Sequence, residues 1–505
     1  MKSDRSETTG RNPRRLSRRN LLEMAGLTIG AAAFPYPSAF ALNSTAQDKT
    51  SKPAGAVMTP LSTYMSEAAN HPLPDEITEK AKHHILDTLA AMISGSTLLP
   101  GKRALQFAQQ YGSDETCTVV ASKLSRGAIE AAMTNGMLAH SDETDDSHSP
   151  SQSHPGCAVV PAALAAGEQF HISGTHFIRA VTLGYDVGTR VTMTLGGQQF
   201  EAESHWSTHS IAPLFGAAAA ASCAARLNAQ QMRWVLGYTA HQSSGLGSWN
   251  RDTEHIQKAF HFGGMTARSG VTSALLVHSG WTGVDDLFSG KDNFFQAYNP
   301  HADPSGLTDK LGERYEVVRT NIKKWPVGSP IQAALDALEI LRKQRPFDAG
   351  QVRQITVRLA TDEAAIVNNR GIPDICLQHM LAVALLDKTV TFASAHDLAR
   401  MKDSAVLHER GKISLVPDDE LERLMPLRVA ILEVTLSDGT HLVRRVDNVR
   451  GTPENPMTRE EVTAKARDLV TPILGAPKGS RLITKLFDLE NVTDIRQLRP
   501  LLQLS

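Results

Sequence analysis

Three runs of small residues constrain this chain more than any other feature. Residues 159–168, 216–225 and 270–277 consist largely of Ala, Gly, Ser and Val. Side chains this small let helices approach closely, so residues 59–320 are predicted to form one large all-helical domain. Hydrophobic periodicity agrees: Ala81, Ile85, Leu89 and Met92 fall on one face of a helix over residues 78–93.

Past residue 320 the texture changes. Residues 352–359 and 428–436 alternate apolar with polar, as half-buried strands do. The second run leads into Ser437-Asp438-Gly439-Thr440 and then residues 441–446, which reads as a hairpin. A helix is predicted between the strands, over residues 377–387. These elements predict a smaller α+β lid domain over residues 321–452. Thr458-Arg459-Glu460-Glu461 has the form of a capping box, so residues 453–505 are predicted to be helices that return to the helical domain. The expected fold class is therefore mostly α, with a large helical domain and a smaller α+β lid.

The N-terminus carries Lys2, Arg5, Arg11, Arg14 and Arg15, then Ser17-Arg18-Arg19-Asn20-Leu21-Leu22, a mildly apolar run and Ala39-Phe40-Ala41. Charge, apolar run and small-residue cleavage site in this order predict a removed twin-arginine signal over residues 1–41, with a polar linker at 42–58. The expected partner is the twin-arginine translocation machinery, and the expected location is the periplasm or elsewhere outside the cytoplasm. What remains is too long for a single core, so about two domains are expected. The 52 Lys and Arg residues balance 53 Asp and Glu, which argues against nucleic acid as a partner. Cys117, Cys157, Cys223 and Cys376 lack metal or redox spacing. Cargo that folds before export folds in a reducing compartment, so buried, reduced thiols are expected. No glycine-rich phosphate loop is present.

The most chemically loaded stretch runs from Asn135 to Gly156. It holds His140, Asp142, Glu143, Asp145, Asp146, His148 and His154, followed by Pro155-Gly156. Three readings are open: a metal site of imidazole and carboxylate, an acid/base site in which clustered charges push pKa values apart, and a solvated acidic loop. His154-Pro155-Gly156 joins the stretch directly to an apolar helix, which places His154 where loop meets core. Further clusters are His205-Trp206-Ser207-Thr208-His209, Lys258-Ala259-Phe260-His261-Phe262-Gly263-Gly264, Lys323-Lys324-Trp325-Pro326 and Gln378-His379.

Taken together, these stretches resemble the MmgE/PrpD family. The family's Asn-Gly…His…Asp-x-Asp-Asp-Thr…His-Pro block resembles Asn135 to Pro155, and its Lys-x-x-His-x-Gly block resembles Lys258 to Gly263. Gly280-Trp281-Thr282-Gly283 resembles the family's Gly-Phe-Thr-Gly. The resemblance implies a helical domain with an α+β lid, an active site between them, a homodimer, and proton transfer beside carboxylates without metal or organic cofactor. It assigns His154, Lys258 and Lys323 to the active site. Glu143, Asp145, His209 and His379 complete the catalytic candidates, and Ser147, His205, Thr208, His261 and Gln332 are the substrate-binding ones. Several positions depart from the motif: Glu143 stands for Asp, Ser147 for Thr, Trp206 for His, Gly328 for His and His379 for Tyr. The expected activity is a cofactor-independent lyase or isomerase on a small di- or tricarboxylate or hydroxy acid, with dehydration foremost. Epimerisation or decarboxylation, an exported carboxylate-binding protein, and a metal hydrolase using His140, Asp145, Asp146, His148 and His154 are the alternatives.

Overall fold

The computed structural model describes residues 55–113 and 116–504, so the signal segment and most of the predicted linker lie outside the described residues. The longer helices are numbered here in chain order. The helical part contains α1 (Met58–Glu67), α2 (Asp75–Gly95), α3 (Leu99–Tyr111), α4 (Ala128–Ala139), α5 (Gly156–Phe170), α6 (Gly174–Leu195), α7 (Thr208–Ala224), α8 (Ala229–Gln242) and α9 (Met265–His278). The first of them opens at Met58, inside the segment read as linker, and Met58 is fully buried.

The small-residue runs lie on α5, α7 and α9, and all three helices are buried along most of their length. They allow close contact as expected: a Cβ on Gly184 of α6 would meet Val159 of α5 and the backbone of Gly216 on α7. Residues 78–93 are helical as expected, but their burial is not confined to one face. From Ala81 onward α2 is buried all round, including Lys82, His83, His84 and Asp87. Its outer face is covered by the C-terminal helices α12 (Arg459–Leu474) and α13 (Ala476–Phe487), and the buried lysines and aspartate of this region find charged partners there. Lys465 Nζ lies 2.6 Å from Asp87 and Lys82 Nζ 2.8 Å from Glu490. Thr458 caps α12 with its side chain, and the Glu461 carboxylate accepts the Thr458 N–H at 2.8 Å. Apolar residues from Val462 to Leu502 share the helical core.

The lid has its own apolar core, drawn from Trp325 to Val449. It packs α10 (Ser329–Gln344) and α11 (Leu377–Asp387) on a four-stranded sheet ordered β2-β1-β3-β4, where β1 is Val352–Ala360, β2 Ile413–Asp418, β3 Ala430–Leu436 and β4 His441–Val446. Strand β1 pairs antiparallel with β3, Val357 opposite Leu432, and β3 with β4 through the expected hairpin. Strand β2, unforeseen in the sequence, pairs parallel with β1, Ile355 opposite Ile413.

Candidate active site

The loaded stretch is buried, not solvated. Every residue from His140 to Asp146 is buried. Distant lysines make this possible: Lys323 Nζ donates to the Glu143 carbonyl at 2.8 Å and Lys465 Nζ to the Thr144 carbonyl at 2.9 Å. Ser147 and Asn321 exchange backbone hydrogen bonds of 3.0 and 2.8 Å, which ties the loop to the start of the lid. Asp142 accepts from the Thr144 N–H and hydroxyl, closing a tight turn between His140 and Asp145.

The adjacent aspartates do different work. Asp146 Oδ1 accepts the Gly156 N–H at the start of α5 at 3.0 Å. Its Oδ2 takes the Tyr185 hydroxyl at 2.5 Å and lies 2.9 Å from His84 Nδ1. It is a structural clamp. Asp145 faces the other way: Oδ2 lies 2.9 Å from His140 Nδ1, and Oδ1 3.3 Å from His154 Nδ1 and 3.8 Å from Lys323 Nζ. Burial works to raise the Asp145 pKa, but the His140 and His154 rings outweigh it and hold the group well below the usual carboxylate range.

A second element completes the cluster. Helical residues Ile256–Ala259 run into a π-turn, Phe260–Gly264, before α9. Gly136 of α4 and Gly263 of the π-turn cross backbone to backbone, and a Cβ on either would collide with the other's carbonyl. The widened turn carries His261 and Phe262, and Lys258 lies on the helical turn just before it. Phe262 stacks on His140 and on His209, both with ring centroids 4.5 Å away, and His154 lies 5.6 Å from it. Lys258 Nζ pairs with Glu143 and sits 5.0 Å from the Trp249 ring. His255, in a left-handed conformation, lies 3.8 Å from the same carboxylate. Burial lowers the pKa of His154 against the opposing pull of Asp145, lowers that of His209 with help from neighbouring groups, and pushes His255 down to about 3 and His261 to about 4. Burial works to raise the Glu143 pKa, yet Lys258 and then Lys323 hold it well below the usual value.

Of the sequence candidates, Glu143, Asp145, His154, His209, Lys258, His261 and Lys323 therefore converge. Others do not. His205 is exposed on a left-handed turn, where its carbonyl receives the Gly247 N–H. The Thr208 hydroxyl lies 2.7 Å from the Gln152 carbonyl and 2.8 Å from Glu201 Oε2. Gln332 gives its amide to the carbonyls of Trp325 and Val327 and accepts from the Trp325 N–H, bracing the first turn of the lid. Ser147 lines the crevice between helical domain and lid beside Lys323 and Gln332. His379 is buried in α11, where its charged neighbours are Arg410, Arg400 and Asp397. Cys157 is a buried thiol whose pKa burial raises well above the usual value, and no two of the four cysteines are joined by a disulfide.

Two participants escaped the sequence reading, His255 and His396. His396 comes from the lid, and its Nε2 lies 3.0 Å from Asp142 and 3.8 Å from Asp374. Burial alone would lower its pKa; contact with Asp142 outweighs this and raises it to about 9. A group raised in the folded state stabilises fully below its unfolded pKa, about 6.5, and loses that contribution as pH rises through the folded value. Stability should therefore fall by on the order of 3 kcal/mol between about pH 6.5 and 9. Urea melts across that window check it: a His396→Leu protein should lack this slope, and an unchanged slope would remove His396 as its source.

Among the described residues, two groups could hold a metal ion: His140 with Asp145 and His154, and His140 with Glu143 and His255. The five-residue hydrolase set does not assemble. Asp146 is committed to α5, and His148 lies against Ser151 at 2.8 Å and Glu316 at 3.3 Å. Lys258 and Lys323 also already neutralise the carboxylates that a cation would need.

A helical domain capped by an α+β lid, with lysines, histidines and carboxylates converging from both, defines a class of protein suited to handling small anions. Residues 59–306 match the MmgE/PrpD N-terminal domain and residues 325–488 the MmgE/PrpD C-terminal domain, and the chain belongs to the MmgE/PrpD family. It is 25% identical over 493 residues to the cis-aconitate decarboxylase-like protein oryM of Aspergillus oryzae, covering 90% of this chain and 98% of that one. It is 27% identical over 452 residues to the cis-aconitate decarboxylase of Homo sapiens, covering 85% and 91%. With that of Aspergillus terreus it shares 24% over 490 residues, covering 91% and 98%.

Proposed function

We propose that this chain is a cofactor-independent lyase acting on small carboxylates by proton transfer next to a carboxylate, with elimination of water as the leading reaction. One observation carries the reading. Beside the ammonium groups of Lys258 and Lys323, four buried imidazole nitrogens lack a hydrogen-bond partner: His140 Nε2, His209 Nδ1, His255 Nε2 and His261 Nε2. Buried polar atoms of this kind are satisfied by water or a ligand, and their position beside two ammonium groups fits a polar anion. The ammonium groups would hold the substrate carboxylate and stabilise the enolate-like charge that develops when the α-proton leaves. His154 and His209, neutral through burial, suit a general base, and a protonated ring could then assist departure of the hydroxyl. A second reading, decarboxylation, is supported by the relatives, which are named cis-aconitate decarboxylases. The proposal includes export through the Arg18-Arg19 signal and a homodimeric state, which rest on the sequence motif and the family resemblance.

Proton NMR in heavy water, with hydroxy-, imino- and unsaturated di- and tricarboxylates, tests the chemistry. Loss of the α-proton signal together with loss of water is the expected result, and His154→Gln should slow it by about a hundredfold. Release of carbon dioxide with deuterium incorporated at the same carbon would establish the second reading instead. Ligand binding without any exchange would reduce the protein to a carboxylate binder.

A further inference from the structure

Lys258 and Lys323 are the cations assigned above to substrate carboxylates, yet a carboxylate already lies between them. Glu143 Oε1 is paired with Lys258, and Oε2 lies 3.9 Å from Lys323 Nζ. Oε1 also lies 3.8 Å from His255 Nδ1. The residue is only 7% exposed, and the hydrogen bond from Lys323 to its own carbonyl fixes its backbone. Glu143 thus stands where a ligand carboxylate would stand. Resting on the lyase reading of this site, we propose that Glu143 is a specificity-determining residue, a resident anion that fills one carboxylate subsite, so that the site accepts mono- and dicarboxylates and rejects tricarboxylates.

The local charges support this. Two positive groups, Lys258 and Lys323, face two negative ones, Glu143 and Asp145. The neighbouring pair of Asp142 and His396 balances itself. Each carboxylate that enters must therefore share cations already balanced by Glu143 and Asp145, so the cost of entry rises with the number of carboxylates and is greatest for a tricarboxylate. A tricarboxylate would also have to displace Glu143 from Lys258, leaving that acid enclosed and unpaired. Side-chain length matters as well. Glu reaches about 1.5 Å further than the Asp of the motif it resembles, one carbon–carbon bond, and that reach brings its carboxylate onto Lys258.

The test compares wild type with Glu143→Gln and Glu143→Asp, using succinate and propane-1,2,3-tricarboxylate as probes at fixed ionic strength, read by calorimetry and thermal shift. Wild type should bind succinate and show no response to the tricarboxylate. Both variants should gain affinity for the tricarboxylate, relative to succinate, of at least about tenfold. The Gln variant should melt lower without ligand and recover more on binding, because Lys258 loses its partner. If wild type binds succinate but the variants keep its preference, or if wild type binds the tricarboxylate equally well, Glu143 does not set specificity and the proposal falls while the carboxylate reading stands. If no protein responds to either probe, the carboxylate reading itself fails. Should the Gln variant not fold, the Asp variant, which retains the charge, decides alone.

Discussion

Replacing Lys258 by Ala should lower turnover about a hundred- to a thousandfold and cost about 3–5 kcal/mol of stability in the same protein. The two losses share an origin. The ammonium holds the developing negative charge of the reaction, and in the resting protein it neutralises Glu143, which is buried. Removing it leaves an enclosed carboxylate without its main partner. The two effects can be separated. Combining Lys258→Met with Glu143→Gln removes both charges, so stability should largely return while activity stays lost. Urea denaturation beside the exchange assay measures both. A Lys258→Ala protein that turns over at the parental rate would overturn the site assignment, and one that melts like the parent would show that the ion pair contributes little.

Asp146→Ala should be the most damaging single change in the acidic stretch, costing about 4 kcal/mol or more and reducing the yield of folded protein. Its carboxylate receives the Gly156 N–H and the Tyr185 hydroxyl and contacts His84 Nδ1, and none of these groups has water to turn to. Asp145→Asn, one residue earlier, should fold and lose activity, because what it changes is the charge beside His140, His154 and Lys323. Circular dichroism melts and the exchange assay on the two variants provide the contrast. Equal stability in both would contradict the division of labour between the neighbours.

Much of this was legible in the sequence where the signal was local. The small-residue runs, the hairpin at Asp438-Gly439 and the capping box at Thr458 are written in adjacent residues, and each appears in the structure. Lys258, Lys323 and His154 stood out because they lie in short motifs. What escaped depends on long-range contacts. His396 meets Asp142 only because the lid folds back on the loop, and nothing near it in sequence announces this. Strand β2 contains Pro417 and lacks a clean alternation; its pairing comes from β1, far earlier in the chain. The acidic stretch had the composition of a solvated loop and is buried because Lys323 and Lys465 arrive from distant segments to satisfy its carbonyls. His205 shows the reverse case: the motif's His falls on Trp206 beside it, which makes His205 a substrate-binding candidate, but a left-handed residue turns it to the surface.

The crossing of Gly136 and Gly263 has a consequence for how such a site can diversify. His140 follows α4, His261 rides on the π-turn and Lys258 on the helical turn that runs into it, so the spacing between these two sets of groups is fixed by main chain resting on main chain. No side chain at the crossing can be traded for a slightly larger or smaller one, which is the usual small step by which sites drift. This part of the molecule acts as a fixed gauge. New substrate preferences have to arise on the movable side of the measurement: in the loop that carries Glu143, and in the lid residues that close over it.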